Sequence, residues 1–499
     1  MGVFTYTDLI EVNLGKLGEA ADHWKAMADG LEKLRSDVYS GLVQLSDRAK
    51  WAGLNAGVTK DFVRKAAKEV WDLHLEATSI WSVLEDGHGE LTRIQRRAKE
   101  LATEARRGNP DRADPDPGLL VIDGGNGTVK VMEAFCDAKG TSQRTKDMMQ
   151  WYADTLTGLV SHAAEIDAAI ARALKRSHGG DPYNAGHATY TSLDEDQLPR
   201  AVKLASLGDD ANKAQRAELQ RLWQSLSPQA RAELWNGHKD NLLAAGVFSP
   251  TVKQVSPDQG SGPHGSEKAG PAERRTREKM NLISEGADWV GMSDASRHMA
   301  HYLGNTGNDM DLPVDKMMDD DEGFRNYVED GIREQQDGWR ERALEEFRRN
   351  GGQPVAIPVE TENRRDYSFQ EDVNENWYYA VGSTRSNVTG VVTVVPDANG
   401  QPQVGLDYQV NAWDRYNWDK NKGVTIDFPG GYTMGIPDGE MARLHTVGIA
   451  QEFDMAGSSS VKHYDLGSAA PNEDPLPKPD EPGREGGRTD PGREQQEGR

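Results

Sequence analysis

The chain has 499 residues, of which 36% are hydrophobic, so it is too long for a single core and its length favours roughly three or four modules. The formal net charge of -23 argues against nucleic acid or an anionic membrane as the main partner, because both attract basic surfaces. The single cysteine, Cys136, excludes intramolecular disulfides and cysteine-based metal sites, and no segment has the apolar length of a membrane span.

Two long segments with heptad spacing begin the chain. Apolar residues recur at alternating intervals of three and four over about residues 8–49 and 58–107, with Trp51-Ala52-Gly53 between the two segments. This spacing places one apolar seam on each helix, and a seam requires a partner. The short break predicts an antiparallel helical hairpin with Trp51 and Gly53 in its turn. The seam positions nearest the turn are Leu31, Val38, Leu42, Leu45, Ala66, Val70 and Leu73.

A helical hairpin with Trp-x-Gly at its bend resembles the WXG100 proteins, which are substrates of the type VII (ESX) secretion system of Gram-positive bacteria and actinobacteria. The resemblance covers residues 1–107 and is carried by Trp51, Gly53, their central position and the helix lengths. It implies pairing with a WXG100-like partner or self-association through the hairpin, and contact with the type VII secretion machinery. The alternative is an ordinary coiled-coil hairpin whose turn happens to contain tryptophan and glycine.

The resemblance also implies that the protein is secreted, and is cytoplasmic before export. The first 13 residues have neither the basic nor the apolar region of a Sec signal peptide, so Sec-independent export is expected. The Tyr-x-x-x-Asp/Glu signal that often follows the second helix of one WXG100 partner is not present near residue 107. This departure suggests that a heterodimeric partner supplies the export signal.

The middle of the chain is predicted to hold two further modules and a linker. Residues 119–178 combine a β-hairpin signal around a glycine-rich turn with a long amphipathic helix that is expected to pack on the first hairpin. Residues 180–256 are predicted to form a helical connector, in which Ser227 caps a helix that begins at Pro228. This segment resembles a connector that joins WXG-type N-termini to varied C-terminal domains. Residues 257–271 are rich in Gly, Ser and Pro, which predicts a flexible linker.

The last part of the chain is predicted to be a small α+β domain followed by a disordered tail. Within residues 272–466, Val/Thr-rich and alternating segments predict antiparallel strands, with Asp407, Gln409 and Asn411 on the face open to solvent. Residues 467–499 lack apolar periodicity and are expected to be disordered. The predicted fold class is therefore multi-domain and mainly α, with one antiparallel sheet near the C-terminus.

The candidate catalytic residues lie around the end of the second long strand. Asp414, Tyr416 and Asp419 follow one another there, and His445 lies on a later helix. A carboxylate beside an imidazole fixes its tautomer and tunes its pKa, so these four residues are candidates for acid/base or metal-assisted hydrolysis. The Asp-x-Tyr-Asn run is distantly similar to an element of colicin M-like lipid II hydrolases, although Asn417 replaces the second aspartate. Alternatively, Tyr416 and the nearby tryptophans close the end of the core.

The order of the modules resembles that of actinobacterial polymorphic toxins, in which an exported carrier precedes a variable effector. This layout predicts an effector in the C-terminal domain, with an immunity protein as an additional partner. The alternative is a non-catalytic protein that binds the cell envelope or serves as a scaffold. That alternative would use Trp413, Tyr416 and Trp418 as an exposed aromatic platform, or oligomerise through the hairpin. The sequence identifies no metal site and no cofactor, and leaves open whether the domain is an enzyme.

Overall fold

Long helices and one mixed sheet dominate the protein, as the sequence predicts: it is mainly helical and has antiparallel strand pairs. The computed structural model describes residues 3–49, 54–108, 118–134, 141, 143–177, 189–250, 260–289, 291–361, 367–418, 423–428 and 432–468. Two compact units divide the chain. The N-terminal unit comprises residues 1–247 and 251–253, and the C-terminal unit comprises residues 248–250 and 254–499.

The N-terminal unit is built on helices and one small hairpin of strands. Its elements are α1 (Tyr6–Glu11), α2 (Gly15–Asp37), a π-helical segment (Val38–Val43), α3 (Gln44–Arg48), α4 (Leu54–Arg107), β1 (Leu119–Gly125), β2 (Thr128–Glu133), α5 (Gln143–Ser177), α6 (Asp194–Ala205), α7 (Lys213–Ser225) and α8 (Pro228–Ala244). The helix at Pro228 begins where the sequence predicts, because the Ser227 hydroxyl accepts a hydrogen bond from the Ala230 amide at 3.2 Å.

The helices before and after the predicted turn lie side by side in opposite directions. Near the start of the chain, the side-chain amide of Gln95 donates a hydrogen bond to the Leu9 carbonyl at 2.9 Å. Farther along, the His74 ring contacts the Ala28 carbonyl at 3.2 Å, and Arg64 pairs with Asp47 at 2.9 Å. The numbers of the paired residues rise on one helix as they fall on the other, so the pair is antiparallel. Trp51 and Gly53 lie outside the described residues.

The first predicted helix is interrupted near its start and contains a polar layer farther along. The Asn13 side chain accepts from the Gly15 amide at 3.1 Å, where α2 begins after the short α1. Arg35 occupies a position where the heptad spacing between Leu31 and Val38 calls for an apolar residue. Its guanidinium lies 4.7 Å from the centre of the Trp71 ring and pairs with Glu32. The break is therefore a charged layer between the two helices.

A third helix covers only part of this hairpin. Helix α5 packs against α4, and its apolar face shares one core with the early part of α2 and the later part of α4. The buried members of this core include Ala21, Ile80, Leu84, Leu101, Leu156, Ile166 and Ala173. None of the described residues between Trp24 and Ala77 belongs to that core, so the outer part of the hairpin is a two-helix arm.

Two glycines on α4 differ in what a side chain would meet. A Cβ on Gly87 would lie 2.7 Å from Ile170 Cγ1, whereas a Cβ on Gly89 would meet nothing within 4 Å. We expect Gly87→Ala to destabilise the unit by about 1–2 kcal/mol through overpacking, and Gly89→Ala to stabilise it by about 0.5–1 kcal/mol through helix propensity. Urea unfolding of the two variants is the measurement. Equal shifts of the same sign would contradict this packing.

A buried histidine in α5 makes the stability of the unit depend on pH. The Nε2 atom of His162 is enclosed without a hydrogen-bond partner among the described residues, and burial lowers the pKa of His162 to about 3, helped by Arg231 and Arg93. Unfolding restores a pKa of about 6.5, so the unfolded chain takes up a proton below that pH and the folded protein does not. The contribution is therefore complete above about pH 6.5 and is lost as the pH falls toward 3.

We expect wild-type protein to lose up to about 2 kcal/mol of unfolding free energy between pH 7 and pH 5 because of this group. His162→Leu should flatten that dependence, whereas the same change at the exposed His23 should leave it intact. Urea titrations at both pH values measure the difference. An unchanged slope in the His162 variant would show that another group is responsible.

The C-terminal unit is an α+β fold. Its elements are α9 (Pro271–Trp289), α10 (Ser293–Leu303), β3 (Met310–Asp311), α11 (Val314–Asp320), α12 (Glu322–Arg349), β4 (Val355–Glu360), β5 (Tyr367–Ser368), α13 (Glu375–Ala380), β6 (Ser383–Pro396), β7 (Pro402–Tyr416), β8 (Gly423–Phe428), β9 (Tyr432–Pro437), α14 (Asp438–Thr446), β10 (Phe453–Ser458) and β11 (Lys462–Ser468).

The sheet is centred on the two long strands β6 and β7. Its order is β3-β10-β7-β6-β4, with β11 also on β7 and β5 on β6, while β8 and β9 form a separate pair. Strands β6 and β7 are antiparallel, with Val388 opposite Val410, as the alternating pattern predicts. The side chains of both residues are buried in the core, which also contains Phe324 from α12 and Met441 from α14. The last strand extends to Ser468, just beyond the predicted start of the tail, and residues 469–499 lie outside the described residues.

The polar face of the long strands is covered, which corrects the prediction that it is open to solvent. Asp407 and Asn411 are buried, although they do share a face. The Asn411 amide donates to Asn387 Oδ1 at 3.1 Å and to Thr389 Oγ1 at 3.0 Å. The Thr389 hydroxyl in turn donates to the carbonyl of Phe248. A strand's own periodicity cannot reveal this cover, because Phe248 lies far away in the sequence.

Residues 260–270 are fixed to the C-terminal unit, which corrects the prediction of a flexible linker for that part of 257–271. The Gly265 amide donates to the His445 carbonyl at 3.1 Å, and the Glu267 amide donates to the Thr446 carbonyl at 2.9 Å. The glycine-rich composition suggests flexibility, but here the glycines allow the backbone to approach the end of α14 closely. A Cβ on Gly448 would lie 3.1 Å from Gly265 Cα.

Candidate functional site

His445 is a buried residue whose two ring nitrogens are both hydrogen-bonded to backbone groups. Helix α14 places its ring so that Nε2 lies 2.9 Å from the Gly262 carbonyl and Nδ1 lies 3.1 Å from the Glu452 amide. A carbonyl can only accept and an amide can only donate, so Nε2 carries the proton and Nδ1 accepts. Burial lowers the pKa of His445, and the nearby Glu452 opposes that shift. His445 is therefore a neutral imidazole with a fixed tautomer.

Glu452 is the carboxylate beside this histidine. Its Oε1 accepts hydrogen bonds from the Ser261 amide at 3.0 Å and the Ser261 hydroxyl at 2.5 Å. Its Oε2 lies 3.5 Å from Arg415 Nη2 and 4.0 Å from His445 Nε2. A carboxylate that leaves water needs such donors and a nearby cation. We call Ser261, His445 and Glu452 the latch cluster.

The backbone of the preceding glycine is shaped to fit that carboxylate. Gly260 has a φ of +51°, a backbone angle that residues with a side chain rarely adopt. A Cβ at this position would lie 2.9 Å from Glu452 Cδ. Ser261 and Glu452 are only 1% and 3% exposed, and the Ser261 hydroxyl also lies 3.1 Å from the Trp418 carbonyl. A substrate cannot reach the serine in this arrangement. The latch cluster holds the 260–265 loop against the segment that follows α14.

Of the predicted catalytic residues that the structure describes, neither Asp414 nor Tyr416 is hydrogen-bonded to the His445 imidazole. Asp414 lies in β7 opposite Met455, and it does not orient the imidazole, because Gly262 and Glu452 occupy both ring nitrogens. Asp419 lies outside the described residues. The expected pairing of Asp414 with His445 is therefore replaced by a pairing of His445 with Glu452.

Tyr416 belongs to the aromatic core of the unit. Its ring stacks on Phe453 with centroids 5.0 Å apart and meets Trp418 edge-on at 5.9 Å. The hydroxyl has no hydrogen-bond partner among the described residues, and burial raises the pKa of Tyr416 well above its usual value. The phenol therefore stays protonated at neutral pH, and is a poor general base.

The aromatic platform predicted for a binding module is wrong. Trp413, Tyr416 and Trp418 are 7%, 6% and 9% exposed, so a glycan or peptide cannot stack on their rings. The dense run of aromatic residues is explained by the core that it helps to fill. The alternative interpretation, in which these residues close the core, agrees with their burial.

Sequence reasoning missed Ser261 and misplaced Glu452. The sequence predicts a helix that continues through Glu452 and carries it on the same face as His445, but α14 ends at Thr446, and Gly448 follows with a φ of +75°. Glu452 therefore approaches the imidazole from a loop. Ser261 lies in a Gly-Ser-Gly-Pro-His-Gly run whose composition is typical of a linker. A serine between two glycines was the available signal, since such a run lets a backbone wrap a side chain.

Among the described residues, no group of three or more His, Cys, Asp or Glu side chains is placed to hold a metal ion. None of the helices in that part of the chain combines the length and apolar character needed to cross a membrane.

No protein-family model, curated protein or solved structure matches the chain.

Proposed function

We propose that this chain is a type VII secretion-associated exported protein whose N-terminal hairpin docks a helical partner and whose C-terminal unit is an effector. The observation that supports the docking role is an apolar seam left open along the two-helix arm. Leu42, Leu45 and Leu73, which occupy predicted seam positions, are 54%, 61% and 44% exposed. Seam leucines in water forfeit the stabilisation of about 25 cal/mol per Å² that a partner helix would provide.

The same seam is closed where the chain supplies its own third helix. Ala77, Ile80 and Leu84 are at most 6% exposed, and α5 packs along that part of α4. The arm thus has the pattern of a helix bundle with one layer missing. This pattern supports a WXG100-like partner, or a second copy of the chain, as the occupant. The open seam is also consistent with the export signal being supplied by the partner.

The effector assignment concerns the C-terminal unit, which has a large core of its own. A separate core allows a unit to act after transport, with an immunity protein as its partner in the producing cell. The second candidate function is a non-catalytic envelope-binding or scaffold protein. The latch cluster favours that second candidate, because its histidine is neutral and both ring nitrogens are bound by the backbone.

Fractionation of cultures tests the export proposal. We expect full-length protein in the medium of wild-type cells, and its retention in cells that lack the type VII ATPase. Phe62 lies one helical turn before the seam residue Ala66 and is 70% exposed. Phe62→Asp, which places a charge beside the open seam, should also cause retention, whereas Lys99→Glu on an exposed site of α4 should not. Purely intracellular protein in every strain would support the scaffold instead.

Growth assays separate an effector from a scaffold. The full chain is expressed in the cytoplasm and, separately, in the periplasm of a test bacterium. An effector should arrest growth in one of the two compartments. Harmless expression in both compartments would favour the non-catalytic role.

A further inference from the structure

The apolar stripe of α4 passes from covered to open within one continuous helix. Its members follow each other at three- and four-residue spacing: Val58, Phe62, Ala66, Val70, Leu73, Ala77, Ile80 and Leu84. Val58 and Phe62 are 65% and 70% exposed, whereas Ile80 is 5% exposed. The direction of the stripe is unchanged, so whatever covers its outer part should have the same form as the element that covers its inner part.

The element that covers the inner part is a helix that stops at a defined level. Helix α5 ends at Ser177, whose hydroxyl lies 2.8 Å from that of Ser79. Ile170 lies beside Gly87, so α5 runs antiparallel to α4. From Val58 to Leu73 the open stripe extends about 22 Å at 1.5 Å per residue, which a helix of about four turns covers. A partner helix in line with α5 would therefore continue the bundle.

The charge of the arm's tip differs from that of the whole chain. Residues 47–68 contain six Lys or Arg and two Asp, a surplus of four positive charges in a chain whose net charge is -23. Arg64 and Lys68 pair with Asp47 and Asp72. No carboxylate among the described residues pairs with Lys60 or Lys65, and both are within three positions of the exposed Phe62 in the sequence. An apolar stripe flanked by unpaired cations fits a partner that carries carboxylates beside its own apolar face.

The backbone of the facing helix is also unusual at this level. The segment Val38–Val43 is π-helical between two α-helical segments. Within it, Tyr39 and Leu42 are 60% and 54% exposed to solvent. Short π segments inside α-helices are rare and occur frequently at functional sites. Val38 and Val43 of this segment remain partly covered, whereas Tyr39 and Leu42 add to the exposed apolar surface of the arm.

We propose that the arm binds an acidic amphipathic α-helix, which lies in line with α5 on the stripe from Val58 to Leu73. Its apolar face covers Phe62 and Leu42, and its flanking Asp or Glu side chains pair with Lys60 and Lys65. This inference rests on the docking role in the proposed function and adds the chemistry of the partner. An anionic membrane and a second copy of the chain are the competing occupants, and the test below separates them.

Binding of designed peptides to the full-length protein tests this chemistry. Two peptides of about 18 residues, equal to about 27 Å of helix, share one leucine face, and their flanking positions are all Glu in one and all Lys in the other. By fluorescence anisotropy at about 50 mM salt, the Glu peptide should bind at least about fivefold more tightly, and the ratio should shrink at about 500 mM salt. The double variant Lys60→Glu/Lys65→Glu should reverse the preference. Lys99→Glu, on the same helix, should not change it.

The outcomes distinguish the partner's chemistry from docking itself. Equal binding of the two peptides, or of neither, would overturn the acidic partner. Binding to phosphatidylglycerol vesicles that the Glu peptide does not displace would overturn it in favour of a membrane. A dimer mass that Phe62→Asp abolishes would overturn it in favour of a second copy of the chain. Docking as such is judged by the fractionation of the Phe62→Asp strain, which can succeed even when the peptide preference fails. A retained preference in the Phe62→Asp variant would show that the peptides bind elsewhere.

Discussion

Replacing Asp196 with alanine is expected to destabilise the N-terminal unit by about 2–4 kcal/mol. The carboxylate of Asp196, in the first turn of α6, is fully buried and lies 2.9 Å from Arg172 Nε and 3.1 Å from Arg176 Nη1. Arg200 Nη1 lies 3.7 Å away, and Glu165 pairs with both Arg172 and Arg200. Without Asp196, Glu165 and Glu218 still pair with Arg172 and Arg200, but Arg172 Nε and Arg176 Nη1 lose their carboxylate acceptor.

Urea unfolding followed by far-ultraviolet circular dichroism measures this loss. The control is Asp210→Ala, an exposed aspartate in the same unit, which should change the free energy of unfolding by less than about 0.5 kcal/mol. Asp196→Asn should lie between the two, because the amide keeps some hydrogen bonds but not the charge. A loss below about 1 kcal/mol for Asp196→Ala would show that water replaces the carboxylate easily.

The second large effect is expected at the latch cluster. Glu452→Ala leaves the buried Ser261 amide without its acceptor, leaves the Ser261 hydroxyl only the Trp418 carbonyl, and removes a carboxylate from beside Arg415. We therefore expect a loss of about 2–4 kcal/mol in the C-terminal unit. The loop at 260–265 should also be released from the fold, since it is held there largely through Ser261 and His445. Limited proteolysis should then cut within this loop first.

The matched control is Glu285→Ala, an exposed glutamate on α9, which should leave both stability and the cleavage pattern unchanged. Ser261→Ala separates the two roles of Glu452, because it removes the hydroxyl hydrogen bond and keeps the backbone one. It should cost about 1 kcal/mol. If the 260–265 loop of Glu452→Ala resists protease as well as the wild-type loop does, the claim that the latch cluster holds this loop would be contradicted.

The elements set by local pattern are the ones that the sequence predicts well. Heptad spacing predicts α2 and α4, and Val/Thr-rich alternation predicts β6 and β7, because both signals arise from residues a few positions apart. The Ser227 cap and the Pro228 start are local in the same way. The positions of the polar residues on β7 are also predicted correctly as a set that shares one face.

The candidate site could not be predicted to the same extent, because its contacts join distant parts of the chain. Ser261 and Glu452 are 191 positions apart, and Thr389 and Phe248 are 141 positions apart. Neither separation leaves a periodic signal. Composition was misleading at Gly260, where a residue type typical of linkers serves a close approach to a carboxylate. Density of aromatic residues was equally ambiguous at Trp413, because a core and a binding platform use the same side chains.

Amide hydrogen exchange along α4 tests the central claim most directly, namely that one continuous helix is covered in its inner part and left open for a partner in its outer part. In the isolated full-length protein, amides at 58–73 should exchange on the order of a hundredfold faster than amides at 80–105, because no third helix protects the arm. Adding the Glu-flanked peptide should slow exchange in 58–73 alone. Equal protection along the whole of α4 in the isolated protein would contradict the open arm and the docking role derived from it.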